Sequence, residues 1–331
     1  MITTDKVIEI FCIADDFCAE YENEIRNHQL QAGDITKRRN RKTQMSQSEI
    51  IAVMVCFHCG TFHNFKNYYL FYICKHMKSY FPNAVSYNRF VELQPRVIVP
   101  FMLLLKLFGF GECTGITYVD STPIKVCHNK RIHSNKVFRD LAQRGKSTMG
   151  WFFGFKLHLV CNEKGELLNF SLTKGNVDDR NPDVINVLTK DLFGKLYADK
   201  GYISTKLFEM LFDQGVHLVT GIRSNMKNSL MSFRDKILLR KRSVIESIND
   251  ELKNICQIEH SRHRSTHNFI MNIIAALVAY CFFPKKPSIK FDVEKSSQLT
   301  IWGYMLSRTH VISYSFLSVI SLLAFNSLSG I

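Results

Sequence analysis

Asp120, Asp199 and Glu246 are the residues of this 331-residue chain whose types and settings point most directly to chemistry. Asp120 closes an apolar, β-branched run (Ile116, Thr117, Tyr118, Val119) and precedes Ser121-Thr122-Pro123. Asp199 closes a second short run (Leu196, Tyr197, Ala198) and opens Asp-Lys-Gly-Tyr202. Glu246 lies in a segment of helical period, as Arg242-x3-Glu246-x6-Lys253. Two strand ends and one helix can bring three acids onto a pair of divalent cations, the arrangement that cleaves and transfers phosphodiesters. A chain with 29 Asp and Glu residues contains many such triplets, so the triplet alone says little. Context raises this one, because both aspartates end strands at the edge where open sheets place ligands. On the helix, Ile245, Ile248, Leu252 and Ile255 form the stripe expected to be buried, while Arg242, Glu246 and Lys253 share a polar stripe. That polar stripe reads in two ways: a carboxylate offered to metal between two phosphate-binding cations, or an ordinary i,i+4 ion pair on a surface helix.

Positioning two strand ends and a helix calls for an α/β domain, and the pattern after Gly109, Gly111 and Gly115 predicts one. Thr117–Asp120 reads as a strand. Phe153–Val160 alternates, with Phe153, Phe155, Leu157 and Leu159 on one face and Gly154, Lys156 and His158 on the other. Asn162-Glu-Lys-Gly165 is a hairpin turn leading to a strand from Leu167 to Leu172. Asn181-Pro182 starts a helix through Leu192. A strand at Lys195–Asp199, a helix from Ser204 to Gln214 and a strand near His217–Thr220 follow. The order βββ-α-β-α-β, then helices, predicts a ribonuclease-H-like mixed sheet flanked by helices over 111–287. Before it, residues 1–110 read as an all-α, DNA-binding domain. Ile8, Ile10, Phe11, Ile13 and Phe17 recur at helical spacing there, and Ser46 with Glu49 makes a capping box. Tyr68–Ile73, Ser86–Leu93 and Val97–Phe108 suggest further helices, with Pro100 tolerable only in a first turn. Phe269–Phe283, capped by Ser265 or Thr266, is apolar all round and reads as a buried core helix rather than a membrane span. Residues 288–331 form an atypical apolar tail: a weak membrane segment, a packing helix, or sequence beyond the usual end of such a domain.

Net charge is +14, from 43 Lys and Arg against 29 Asp and Glu, with a pI near 9.3. That balance suits a polyanion partner, bound by phosphate neutralisation and counterion release, and equally a protein that is merely basic. The run Lys37-Arg38-Arg39-Asn40-Arg41-Lys42 is likewise either a phosphate-binding arm or a solvated loop. Ten cysteines without a disulfide-like framework, and a polar N-terminus without a signal peptide, lead us to expect reduced thiols and a cytoplasmic protein. Cys56-x2-Cys59 with His58, His63, Cys74 and His76 raises the question of zinc. Its setting in an aromatic-rich amphipathic stretch favours buried helical thiols instead.

Taken together, the chain from Tyr118 to about Phe283 resembles DDE-type insertion-sequence transposases. The resemblance rests on Tyr-Val-Asp-Ser-Thr-Pro at 118–123, Asn-Lys-Arg-Ile at 129–132 and Lys146-Ser-Thr-Met-Gly-Trp-Phe-Phe-Gly-Phe-Lys-Leu-His158. Gly175-Asn-Val-Asp-Asp179, Ala198-Asp-Lys-Gly-Tyr202, the Arg-x3-Glu-x6-Lys element and Ser261-Arg-His-Arg264 complete it. The subgroup it is most similar to is the insertion-sequence family numbered 982. The chain departs from the pattern at Leu239, where a tyrosine often precedes the arginine, and in the tail beyond about 290. The resemblance implies two Mg²⁺ ions, with Mn²⁺ able to substitute: Asp120 bridges both, and Asp199 and Glu246 each complete one. It implies double-stranded DNA, element ends and target, as the partner, a homodimer in the synaptic complex, no membrane, and a bacterial, nucleoid-associated location. Arg242 and Lys253 become phosphate contacts. The basic segment Lys125–Lys146, with Lys130, Arg131 and Lys146, joins Lys156 and His158 as candidate DNA contacts, although Lys156 and His158 equally suit a covered sheet face. Trp151 reads first as a core aromatic, with stacking on a displaced base as the alternative. A ribonuclease-H-like nuclease of other purpose and a non-catalytic DNA-binding relic are the competing functions.

Overall fold

The computed structural model describes residues 2–31, 43–60, 62–148, 150–226, 230–259 and 263–289. The basic run 37–42, the tail from 290 and part of the 261–264 motif lie outside them. The N-terminal third is helical. Helix α1 (Thr4–Gln31) buries Val7, Ile10, Ala14, Phe17 and Cys18, one helical stripe, while Ile8 falls outside it and is exposed. Helix α2 (Gln47–Cys59) starts at the expected capping box: the Glu49 amide donates to Ser46 Oγ at 3.0 Å and the Ser46 amide to Glu49 Oε2 at 2.7 Å. From Ile50 to His58 every α2 residue is buried, so this helix is the centre of the helical layer. Ser48 does not cap it; its hydroxyl donates to Asp15 Oδ1 at 2.6 Å and ties α2 to α1.

Helix α3 (Phe65–Asn67) continues as a π-helical stretch, Tyr68–His76, where an ordinary helix was expected. Its tyrosines are buried with their hydroxyls satisfied, Tyr68 donating to the Val53 carbonyl at 3.1 Å and Tyr69 to that of Val85 at 2.7 Å. Helix α4 (Tyr87–Leu93) is capped by Ser86 and gives way at Pro95 to a 3₁₀ turn, Gln94–Val97. Helix α5 (Ile98–Leu104) holds Pro100 in its first turn, as expected, and ends as a π-turn, Leu105–Gly109.

The sheet follows. Strand β1 (Ile116–Cys127) is longer than expected, β2 (Gln143–Ser147) was not expected at all, and β3 (Gly150–Asn162) and β4 (Leu167–Lys174) form the hairpin turning at Gly165, φ 76°. After α6 (Pro182–Leu188) come β5 (Gly194–Ala198), α7 (Thr205–Asp213) and β6 (Val216–Thr220). Strand order is β2-β3-β1-β5-β6, with β4 also on β3. Strands β1–β3, β2–β3 and β3–β4 pair antiparallel, whereas β1–β5 and β5–β6 pair parallel. This is a mixed sheet with helices on its faces, and its element order is the expected one with β2 added. Gly154 is demanded by close packing: a Cβ there would stand 2.0 Å from the Ile124 carbonyl oxygen of the neighbouring strand.

One face of the sheet buries Val119, Val160, Leu196 and Ala198 against α6 and α7 (Val184, Leu188, Leu207, Leu211). The other face carries α8 (Phe233–Arg240), α9 (Ser243–Asn254) and α10 (Thr266–Cys281). Helix α10 is buried almost throughout from Phe269 to Tyr280, a core helix as its all-round apolarity required. It packs on α2, and the Tyr280 hydroxyl donates to the Gly165 carbonyl at 2.6 Å, so one helix joins the helical layer to the hairpin. The helices before Gly109 and the sheet thus belong to one compact unit, which ends at Ile289. No helix among the described residues is long and apolar enough to cross a membrane.

Two expectations are overturned. Ile255 was placed on the buried stripe of the glutamate helix but caps the end of α9 and is 47% exposed; Val244 and Asn249 are buried instead. Trp151 was read first as a core aromatic, yet it is 63% exposed at the start of β3.

Candidate active site

The pairing of β1 with β5 sets the two aspartates at matching positions just past the paired residues. Thr117 faces Leu196 and Tyr118 faces Tyr197, and two residues further on each chain stand Asp120 and Asp199. Strand β5 ends at Ala198, while β1 runs on beside β3 as far as Cys127. Asp120 therefore sits where β1 loses its parallel neighbour, and Asp199 is the first residue after that neighbour's end. Adjacent strands run about 4.8 Å apart. Asp199 is exposed, and its carbonyl accepts from the Tyr202 amide at 3.0 Å to begin the 3₁₀ turn Lys200–Tyr202.

Helix α9 reaches this edge because α8 is pinned to the neighbouring strands. Asp235 on α8 accepts from Lys195 Nζ, at 2.8 Å, and from the Tyr197 hydroxyl, at 2.8 Å. The Tyr118 hydroxyl donates to the Leu238 carbonyl at 3.3 Å, and Tyr118 stacks on Tyr197 with ring centroids 5.4 Å apart. The short turn from α8 into α9 then lays Val244, Ile245, Ile248 and Leu252 on the sheet.

Glu246 comes to Asp120 through Arg242. The guanidinium forms an ion pair with Glu246 Oε1 and lies 3.7 Å from Asp120 Oδ1. The i,i+4 pair therefore does form, but its cation also engages a strand carboxylate from the far side of the sequence. Asn249, one turn on from Glu246, donates from Nδ2 to Asp120 Oδ2 at 3.0 Å. Burial is the main reason the Asp120 carboxyl is pushed up to about 6; Arg242 and the Ser121 amide oppose the shift, while the charges of Glu246 and Asp179 add to it.

The remaining candidates divide. Lys253 Nζ lies 3.6 Å from Glu259 Oε1. Lys130 and Arg131 are exposed in a 3₁₀ turn, Asn129–Arg131, and Lys146 is exposed on β2. Lys156 is drawn inward, donating to the Val177 carbonyl at 2.8 Å and to Asp179 Oδ1 at 3.0 Å. His158 is 0% exposed, with Nε2 2.9 Å from the Thr173 hydroxyl. Burial pushes this imidazole down to about 4. For His158 the covered sheet face is the reading found, since its side chain has no exposed surface; Lys156 keeps 15% of its side chain exposed while bonded to Asp179. In the helical layer Cys56 is fully buried, and Cys59 is pushed up to about 12 mainly by burial; its Sγ lies 3.9 Å from the Ala279 carbonyl.

Sequence reasoning missed Asn249 and Asp179. Asn249 carried a signal, since it follows Glu246 by three residues and so faces the same way. Asp179 ends the Gly175-Asn-Val-Asp-Asp motif, but nothing local tells that its partners are Lys156 and the neighbourhood of Asp120.

Among the described residues no three His, Cys, Asp or Glu side chains are grouped as a metal site. The donors around Asp120 are nonetheless those a hard cation takes. They are carboxylate oxygens, together with Asn249 Oδ1, a buried atom with no hydrogen-bond partner. The charge between Asp120 and Glu246 is here supplied by Arg242.

Among solved structures the chain is similar to a piggyBac transposase synaptic complex with hairpin DNA, at 11% identity and a TM-score of 0.40, over 74% of this chain and 68% of that one. It is similar also to the Mos1 strand transfer complex, at 11% identity and a TM-score of 0.22, over 77% of this chain and 82% of that one. A comparison with curated proteins finds no match. Residues 110–266 match the family model described as a transposase DDE domain. Residues 110–266 of the chain are thus a transposase DDE domain.

Proposed function

We propose that this protein is the transposase of an insertion sequence, cutting DNA at the element's ends and joining those ends to a target. The observation that carries the reading is the junction at Asp120. A partly buried strand carboxylate and a helix carboxylate share one cation, Arg242, beside the end of the next parallel strand, where Asp199 stands. Strand order supports a ribonuclease-H-like sheet, with three strands antiparallel around β1 and two parallel beyond it. Asp120, Asp199 and Glu246 would hold two divalent cations, Mg²⁺ or Mn²⁺; when bound, these activate water or a DNA 3′-hydroxyl and neutralise charge on the scissile phosphate. Asn249 fixes the rotamer of Asp120 by its 3.0 Å hydrogen bond. Arg242, which lies against both carboxylates, and Lys253 further along α9 would be the cations that contact DNA phosphates.

The dense motif run from Tyr118 to Arg264 supports the insertion-sequence family numbered 982 as the subgroup. Synapsis of two ends calls for a homodimer. The preceding helices form the DNA-binding part of this reading, with 1–110, 111–287 and 288–331 as its divisions.

The test is cleavage of DNA carrying the element's ends, with and without Mg²⁺ or Mn²⁺. Asp120→Asn, Asp199→Asn and Glu246→Gln should each lose cleavage while keeping salt-dependent DNA binding. Retained cleavage in any of the three rejects its metal role. Binding without turnover in the unaltered protein makes it the non-catalytic relic.

A further inference from the structure

The exposed Trp151 has no part in the active site, and its surroundings suit a nucleobase. Between Lys125 and Lys146 the chain carries seven Lys and Arg residues and a single acid, Asp140. Strands β1, β2 and β3 run on past the ends of β5 and β6, so this basic segment projects beyond the carboxylate edge. Trp151 lies at the outer end. Asp120 pairs with Leu159, and Trp151 is eight residues further along β3, about 27 Å at an antiparallel rise. That is the axial length of about eight base pairs.

The ring stands among cations. Lys146, its partner across β2 and β3, places Nζ 6.0 Å from the ring centroid. The Trp151 carbonyl accepts from Asn129 Nδ2 at 2.8 Å, which ties the turn carrying Lys130 and Arg131 to the tryptophan's own backbone. Arg144 is exposed two residues before Lys146, on the same face of β2. Among the described residues no ion pair engages Lys130, Arg131, Arg144 or Lys146, so their charge is available to phosphate. An indole left 63% open in such a field offers a large flat face beside a cation, on a backbone fixed by strand pairing. Aromatic faces flanked by phosphate-binding cations are what unstacked bases bind, and stacking is tolerant of base identity.

We propose that Trp151 is a base-stacking residue that holds an unpaired nucleobase of DNA lying along the β1–β3 extension, about 27 Å from the carboxylates. This rests on the reading of the chain as a DNA transposase but is tested without cleavage. The protein has two tryptophans, Trp151 and Trp302, so Trp302→Phe leaves Trp151 as the sole indole reporter in the full chain. Its emission is followed during titration with a single-stranded oligonucleotide, with a duplex carrying one unpaired base, and with a fully paired duplex.

The expected result is quenching on the first two probes and little on the third. Asp120→Asn in the same background should keep the quenching. Trp151→Ala should weaken binding to the unpaired-base probes by roughly fivefold to hundredfold, with Trp151→Phe restoring most of it. Emission unchanged at saturating DNA, or Trp151→Ala binding all probes as tightly as its parent, overturns the proposal. So does an emission shift that follows protein concentration without DNA, because Trp151 then belongs to an interface between copies. Loss of cleavage in the unaltered protein with quenching intact defeats the transposase reading and leaves this one standing.

Discussion

Replacing Asp120 by Asn is expected to make the metal-free protein more stable at neutral pH and not in acid. Burial holds the Asp120 carboxyl at about 6, against about 3.9 in an unfolded chain. A carboxyl raised on folding contributes most below the unfolded value, and that contribution is lost as pH climbs from about 4 to about 6. Two units correspond to about 3 kcal/mol at most, a cost carried by the wild type at every pH above 6. Two effects reduce the gain on substitution. The Asp120 side chain is 23% exposed, so water screens part of the penalty. Arg242 also loses one of its two carboxylates, though Glu246 remains with it. Asn keeps an oxygen for the Asn249 amide. A net gain of about 1–2 kcal/mol at pH 7.5 remains, fading toward zero near pH 4. The measurement is urea unfolding of the full chain in EDTA from pH 4.5 to 8, Asn variant beside wild type. A gain of equal size at every pH refutes the electrostatic argument, as does an Asn variant less stable than wild type at pH 7.5.

Asp235 titrates with the opposite sign. Burial alone would raise it, but hydrogen bonds from Lys195, Ser232 and Tyr197 outweigh that and hold it at about 2. Its contribution is therefore present above about pH 4 and lost as pH falls toward 2. Because Lys195 is 42% exposed, Asp235→Asn should lose only about 1–2 kcal/mol at pH 7, read from the urea midpoint, and an unchanged midpoint rejects the pinning of α8 to β5. Gly154→Ala places a methyl 2.0 Å from the Ile124 carbonyl, so β1 and β3 must part; a loss above ~3 kcal/mol, or no folded protein, is expected in thermal unfolding. A wild-type melting curve would show that the strands have room. Ser46→Ala removes the cap of α2 and should lower stability by about 0.5–2 kcal/mol by the same assay, with no change meaning that the capping box is idle.

Local rules made most elements legible. Ser46 and Glu49, Asn181-Pro182 and Ser86 each mark a helix start through hydrogen bonds within four residues, and the structure places helices at all three. Alternation along 153–160 found β3, although in the structure the strand is buried on both faces, with only Lys156 intermediate in that stretch. Strand β2 was missed because Gln143-Arg-Gly-Lys-Ser147 lacks apolar alternation; it is an edge strand held by pairing to β3 rather than by burial. The π-helical stretch Tyr68–His76 has no local mark that distinguishes it from an ordinary helix.

The site divides in the same way. The chain's order of residues, with no fold in hand, determined that Asp120 and Asp199 end strands and that Glu246 shares a helix face with Arg242, since each fact needs only neighbours a few residues apart. Which partners these acids have is a matter of side chains brought together from distant segments. Asn249 meets Asp120 across 129 residues, and Arg242 bridges Asp120 to Glu246 only because Asp235 anchors α8 to β5. Tertiary packing alone decided that Lys156 and His158 turn inward and Trp151 outward. All three lie on one alternating strand, and a strand's pattern tells which residues share a face but not where along it the covering helices stop.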